Sequence, residues 1–144
     1  MNLYNIFLHA HKGFAYLALL IIALFIVALI SVMFSSSGKI SKLLRKATLF
    51  TMILFHVQFL VGLSLLFIFS PGFKAALDSG TLMSDAYSRM TFVEHPFSML
   101  VAAVLLTIIN KYVKKNENIA LKIVFMAVLA LALFGYVFPW AKVF

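Results

Sequence analysis

Four stretches of predominantly apolar residues, each close to twenty residues long, alternate with shorter polar segments along the chain. They cover residues 13–34, 47–69, 91–109 and 119–140. A helix of about 20 apolar residues crosses a hydrocarbon core of roughly 30 Å, so each stretch predicts one transmembrane helix. The pattern predicts an all-α integral membrane protein whose residues 1–144 form a single domain.

The polar segments between these stretches predict how the helices are connected. Residues 35–46 and 110–118 are short links, which make successive helices antiparallel neighbours in an up-down-up-down four-helix bundle. The link at 70–90 is longer. It opens with Ser70-Pro71-Gly72, which ends the second helix, and Phe73, Ala76 and Leu77 predict a short interfacial helix before Gly80.

Composition strengthens the membrane assignment and excludes several kinds of site. The chain is 65% hydrophobic and 11% charged, whereas a soluble domain carries about 25% charged residues. The first stretch is longer than the apolar region of a signal peptide, so we expect it to be retained. There is no cysteine. Disulfides, thiolate metal sites and covalent haem attachment through a Cys-x-x-Cys-His motif are therefore excluded.

The net charge of +8 is concentrated in two of the loops. The first and third loops carry Lys39, Lys42, Arg45, Lys46, Lys111, Lys114 and Lys115. The positive-inside rule places both loops in the cytoplasm and both termini outside. We expect a bacterial inner membrane protein whose basic loops act as topology signals and bind lipid, and we expect no nucleic-acid partner.

The four histidines are the polar residues that bear most directly on function, because polar side chains at membrane depth are costly. His11 and His95 both fall near the outer interface, on the first and third helices, which occupy diagonal corners of the bundle. His56 lies about 13 Å deeper on the second helix. His9 is about 200° from His11 around the first helix, so only one of the two faces the interior.

A six-coordinate haem takes one imidazole on each face of its iron, and diagonal helices suit that spacing. His11 and His95 meet the requirement of equal depth, while Lys12 and Arg89 lie at the same edge, where haem propionates would emerge. His11 is favoured over His9 because small residues follow it on its face of the helix. The sequence therefore predicts His11 and His95 as iron ligands, with His9, Lys12 and Arg89 nearby.

The same residues also fit interpretations that do not involve haem. Interfacial histidines are common, and His56 or Gln58 would also serve to hydrogen-bond another helix. Glu94 is either a wetted carboxylate or a proton acceptor for quinol. Copper or zinc would also accept imidazole ligands. His56 stays a further candidate for contact with the cofactor.

Three short motifs resemble a known family. The Leu-His-Ala-His run at 8–11, the segment from Phe55 through Gln58 to Pro71, and Arg89 followed by Val93-Glu94-His95 are similar to small four-helix cytochrome b-like membrane proteins of Bacteroidetes. The resemblance spans nearly the whole chain and implies haem. The family positions that it carries over are His9, His11, His56, Gln58, Arg89, Glu94 and His95. Pro96 departs from the family pattern and predicts that His95 stands at a helix start.

A looser similarity links the chain to small four-helix, haem-containing protoporphyrinogen oxidases, although the characteristic residues after the first span are missing. The leading hypothesis is a b-type cytochrome-like protein that carries electrons between the quinol pool and a partner through non-covalent haem b near the outer face. The alternative is a haem-free accessory subunit of a larger membrane complex or homo-oligomer. The sequence leaves open whether the protein is an enzyme.

Overall fold

The computed structural model describes residues 2–140, and this part of the chain is helical without a named strand. The all-α prediction is confirmed. Besides the four long helices, the link at 70–90 contains two short ones, of which only the first was predicted. The α-helices are α1 (Leu3–Met33), α2 (Lys42–Ser64), α3 (Pro71–Asp78), α4 (Ala86–Arg89), α5 (His95–Lys115) and α6 (Leu121–Val137).

Three helical stretches have the length and hydropathy to cross a membrane, namely Leu3–Met33, Lys42–Phe69 and Ala86–Lys115. The fourth, α6, is apolar but has only 17 residues. The helices also begin and end at different residues from the predicted spans. Helix α1 starts well before residue 13, so His9 and His11 lie inside it, because the helix continues beyond the strictly apolar stretch.

Close helix packing follows the order of the chain: α1 packs on α2, α2 on α5, and α5 on α6. Within residues 2–140, α1 and α6 do not pack closely along their lengths. Phe25 and Phe55 are almost completely buried, and the Phe55 ring lies 5.5 Å from that of Phe134. Alanines such as Ala102 and Ala127, both fully buried, let the backbones approach.

The end of the bundle formed by the two short links, residues 34–41 and 116–120, is named the basic end. There the Ile40 N–H donates to the Glu117 carbonyl at 2.6 Å, and the Ile119 N–H donates to the Gly38 carbonyl at 3.0 Å. Gly38 has a φ of 58°, a conformation that glycine adopts without strain. These bonds fasten the two short links to each other.

Arg45 completes the basic end by closing the last turn of α5. Its guanidinium donates to the carbonyl of Val113 and, at 2.8 Å, to that of Asn116. The final carbonyls of a helix have no partner within the helix, and a cation there also complements the helix dipole. Arg45, in the first turns of α2, is thus a structural cap of α5.

The opposite end holds the start of α1, the end of α2, the start of α5 and the end of α6, and is named the histidine end. The predicted short helix is present as α3, capped by the Ser70 hydroxyl, which accepts from the Phe73 N–H at 3.2 Å. Asp85 caps α4 in the same way, and the backbone N–H of Ser88 lowers the pKa of the Asp85 carboxyl.

Two π-helical turns lie at the histidine end, at Leu65–Phe69 and at Met90–Glu94. The second joins α4 to α5, and within it the His95 N–H donates to the Met90 carbonyl five residues earlier. Proline lacks an N–H and clashes with the carbonyl four residues before it, so a wider turn accommodates Pro96. His95 begins α5, as Pro96 predicts, but the chain before it is helical as well.

Candidate functional site

The structure brings His11 of α1 and His95 of α5 together at the histidine end. Their ring centroids lie 6.0 Å apart and the ring planes make an angle of 64°. Both side chains are half-buried. The two residues therefore share one level of the bundle and face each other across its interior.

The orientation of His95 is fixed by the last turn of α6. Its Nδ1 lies 3.2 Å from the Val137 carbonyl oxygen. A carbonyl only accepts hydrogen bonds, so Nδ1 carries the proton and Nε2 keeps its lone pair. A backbone carbonyl in this position is the usual orienting partner of a histidine that binds metal through its other nitrogen.

His11 sits against the smallest residue of α2. A Cβ added at Gly62 would lie 3.2 Å from His11 Cε1 and 3.7 Å from Nδ1, so glycine makes room for the ring. One turn earlier, Gln58 is buried and its Nε2 donates to the His11 carbonyl at 2.8 Å. The ring and the backbone of His11 are thus both held by α2.

Two buried side-chain atoms within residues 2–140 have no hydrogen-bond partner, His11 Nδ1 and Gln58 Oε1. Both belong to the same α1–α2 contact. One is a nitrogen that carries a proton in one tautomer, and the other is a carbonyl oxygen that only accepts. As a possible donor and an acceptor, the two atoms are chemically complementary.

The other two histidines are placed differently. His9 is exposed on the far side of α1, and Lys12 is exposed next to the site. His56 is exposed on the outer surface of α2, where its Nδ1 lies 2.8 Å from the Met52 carbonyl. The structure groups His11 with His95 and leaves His9 and His56 outside that pair.

Arg89, which we predict from the sequence to lie near the propionates of a haem, is engaged in a network of its own. Its Nε lies 2.9 Å from Glu94 Oε1, and its Nη1 donates to the Met83 carbonyl at 3.1 Å. The Tyr136 hydroxyl donates to the other oxygen of Glu94 at 2.7 Å. Glu94 is therefore a bridge between α6 and the segment before α5. No local sequence signal points to this role of Tyr136, because its contact joins residues 42 positions apart.

The pair of histidines fits one class of metal group better than others. No set of three or more His, Cys, Asp or Glu side chains in the described part of the chain is arranged to hold a metal ion. Zinc and copper sites need three or four protein ligands. The porphyrin of a haem supplies four ligands to the iron, so the protein needs to supply only one or two more. His11 and His95 would supply these.

Comparisons of the chain with protein-family models, with curated proteins and with solved structures find no match.

Proposed function

We propose that the protein is a b-type cytochrome of the bacterial inner membrane, which holds haem non-covalently near the outer face and passes electrons through it. The observation that carries the proposal is the approach of two imidazoles, from α1 and α5, to a centroid separation of 6.0 Å. Two metal–nitrogen bonds of about 2 Å each, with the half-widths of both rings, require a separation of about 6 Å.

His11 and His95 would hold the iron, and the haem would supply a one-electron redox centre. The surrounding residues orient these ligands. The Val137 carbonyl keeps the proton of His95 on Nδ1. Gln58 would do the same for His11, because its unpaired Oε1 lies in the same contact as the unpaired Nδ1. Each of the two histidines would then have one orienting acceptor on a neighbouring helix.

The bundle also offers a way in for a flat group. Because α1 and α6 do not pack closely, this side of the bundle is the one along which a macrocycle would enter between His11 and His95. Lys12 is exposed beside the site and would meet a propionate. Arg89 is the weaker partner for a propionate, since Glu94 already neutralises it.

We further propose four membrane spans, with α6 as the shortest, and both termini outside. The support is the concentration of cations at the basic end, in the link at 34–41, in the first turns of α2 and in the last turns of α5. A reporter that is active only in the cytoplasm should be silent at either terminus and active when inserted into the link at 34–41. Activity at a terminus would reverse the orientation.

The visible spectrum of protein purified in detergent tests the haem proposal. We expect a Soret band with the low-spin spectrum of two imidazole ligands. His11→Ala and His95→Ala should lose it or become high-spin, whereas His9→Ala should keep it. His9→Ala is the matched control, because His9 is an exposed histidine of the same helix. A colourless protein after reconstitution with haem would overturn the proposal and favour the accessory subunit.

A further inference from the structure

An open groove lies between α2 and α5 on the surface of the bundle, away from the paired histidines. Its volume is about 320 Å³, within the range of small-molecule sites. The groove is lined by Met52, Ile53, His56, Val57, Leu60 and Thr107. Only His56 and Thr107 among these are polar, and both are near the middle of their helices.

His56 presents a weakly paired hydrogen-bond acceptor to this groove. Its Nδ1 donates to the Met52 carbonyl at 2.8 Å, so the proton is on Nδ1 and the lone pair is on Nε2. The nearest donor is the Thr107 hydroxyl, at 3.4 Å. That hydroxyl gives its one proton to the Ala103 carbonyl at 2.9 Å. The contact of Nε2 with Thr107 is therefore long and weak, since the hydroxyl proton has a closer acceptor.

An acceptor of this kind at membrane depth is costly unless something donates to it. Water is excluded there, and phospholipid tails carry no donor. The occupant must be apolar enough to lie in the bilayer, small enough for the groove, and equipped with a hydroxyl group. A lipid-soluble hydroquinone has these three properties.

We propose that the groove between α2 and α5 is a binding site for a membrane hydroquinone, whose hydroxyl group donates to His56 Nε2 while its ring packs on Ile53, Val57 and Leu60. The choice of a hydroquinone rests on the proposed electron-transfer function, whereas the groove and its weakly paired acceptor do not. His56 is six residues before Gly62, so the site lies about 9 Å along α2 from the paired histidines.

The affinities of two probes for wild type and for a His56 variant test the proposed hydrogen bond to His56 Nε2. The probes are a radiolabelled short-chain naphthohydroquinone, kept reduced and anaerobic, and its dimethyl ether, which has no hydroxyl donor. Both are titrated onto wild type and His56→Phe in nanodiscs of zwitterionic phospholipid. We expect the hydroquinone to bind wild type about tenfold more tightly than His56→Phe, or about 1.4 kcal/mol. The ether should bind both proteins equally weakly.

Two control variants separate the groove from general effects. Leu60→Trp fills the groove with His56 intact and should abolish binding, whereas Leu129→Trp, at a comparably exposed position on α6, should not. Thr107→Val should leave affinity within about twofold, because the Thr107 hydroxyl is committed to a carbonyl. Equal affinities of wild type and His56→Phe for the hydroquinone, or of wild type for both probes, would overturn the proposal.

A partner helix is the competing occupant, and the absence of cysteine makes the distinction simple. A single Ile53→Cys, treated with a short thiol crosslinker in native membranes, should give no protein adduct. An adduct with a second copy or another protein would refute the hydroquinone site. Visible spectra of the same samples distinguish the cytochrome proposal from the hydroquinone-site proposal. A colourless protein with the His56 effect refutes only the cytochrome, and a haem protein without it refutes only the groove.

Discussion

Replacing Gln58 by leucine should raise the stability of the haem-free protein while weakening its hold on haem. Gln58 is buried, and only one of the two polar atoms of its side-chain amide is hydrogen-bonded. Nε2 donates to the His11 carbonyl at 2.8 Å, and Oε1 has no partner. Leucine fills a similar volume but has neither polar atom. The loss of the Nε2 hydrogen bond and the removal of the unpaired Oε1 can therefore be estimated separately.

Loss of the Nε2 hydrogen bond costs about 1 kcal/mol, while removal of a buried, unpaired carbonyl oxygen recovers about 1–3 kcal/mol. We therefore expect the free energy of unfolding of the haem-free Gln58→Leu protein to rise by about 1 kcal/mol. Haem affinity should fall by about 10- to 100-fold, the usual effect of losing an orienting partner of a metal ligand. The two effects have opposite signs, which a purely structural role would not produce.

The stability measurement is a denaturant titration of the haem-free protein in detergent micelles, and the affinity measurement is a Soret titration with haem. Thr51→Val is the matched control, since Thr51 is a buried polar residue of the same helix, two turns away, whose hydroxyl bonds only the Ala47 carbonyl. It should leave haem affinity unchanged. A less stable haem-free Gln58→Leu protein with normal haem affinity would refute the orienting role.

Two further substitutions test the packing at each end of the bundle. Gly62→Ala places a Cβ 3.2 Å from the neighbouring imidazole and should reduce haem affinity or alter the axial-ligand signals in electron paramagnetic resonance, whereas Gly135→Ala, where a Cβ meets nothing within 4 Å, should not. Identical spectra for both variants would contradict the close contact. Arg45→Met should lower the free energy of unfolding by about 2 kcal/mol because it uncaps α5. Lys42→Met, an exposed cation one turn away, should change it by less than about 0.5 kcal/mol, and equal losses from the two would show that the cap is not specific.

The sequence contains enough to predict helices, their order and the pairing of two histidines, because each depends on local or periodic properties. Apolar length sets the helices, short links make neighbours antiparallel, and residue counting sets the depth of His11 and His95. The choice of His11 over His9 also follows from helical periodicity, and the structure places His9 outside. Helix ends are less predictable. Helix α1 extends beyond its apolar stretch, and α3 and α4 lie in a link whose hydropathy predicts only a polar loop.

Contacts between side chains that are far apart in the sequence cannot be predicted from hydropathy, link length and helical periodicity. Gln58 and His56 differ by two positions on one helix, and periodicity says that they face different ways without saying which way is inward. The structure turns Gln58 to His11 and leaves His56 outside, facing Thr107. That choice depends on how α2 packs between α1 and α5, and it decides which residue belongs to the histidine pair and which to the groove.

The π-helical turn before His95 shows how a single proline alters a site. In a regular α-helix, residues five apart are separated by about 140° around the axis and do not meet. The wider turn at Met90–Glu94 brings Arg89 and Glu94 to 2.9 Å. Glu94 in turn receives the Tyr136 hydroxyl from α6, the helix whose Val137 carbonyl orients His95. The turn that accommodates Pro96 thus fastens α6 to the start of α5, and so holds in place the carbonyl on which the free nitrogen of His95 depends.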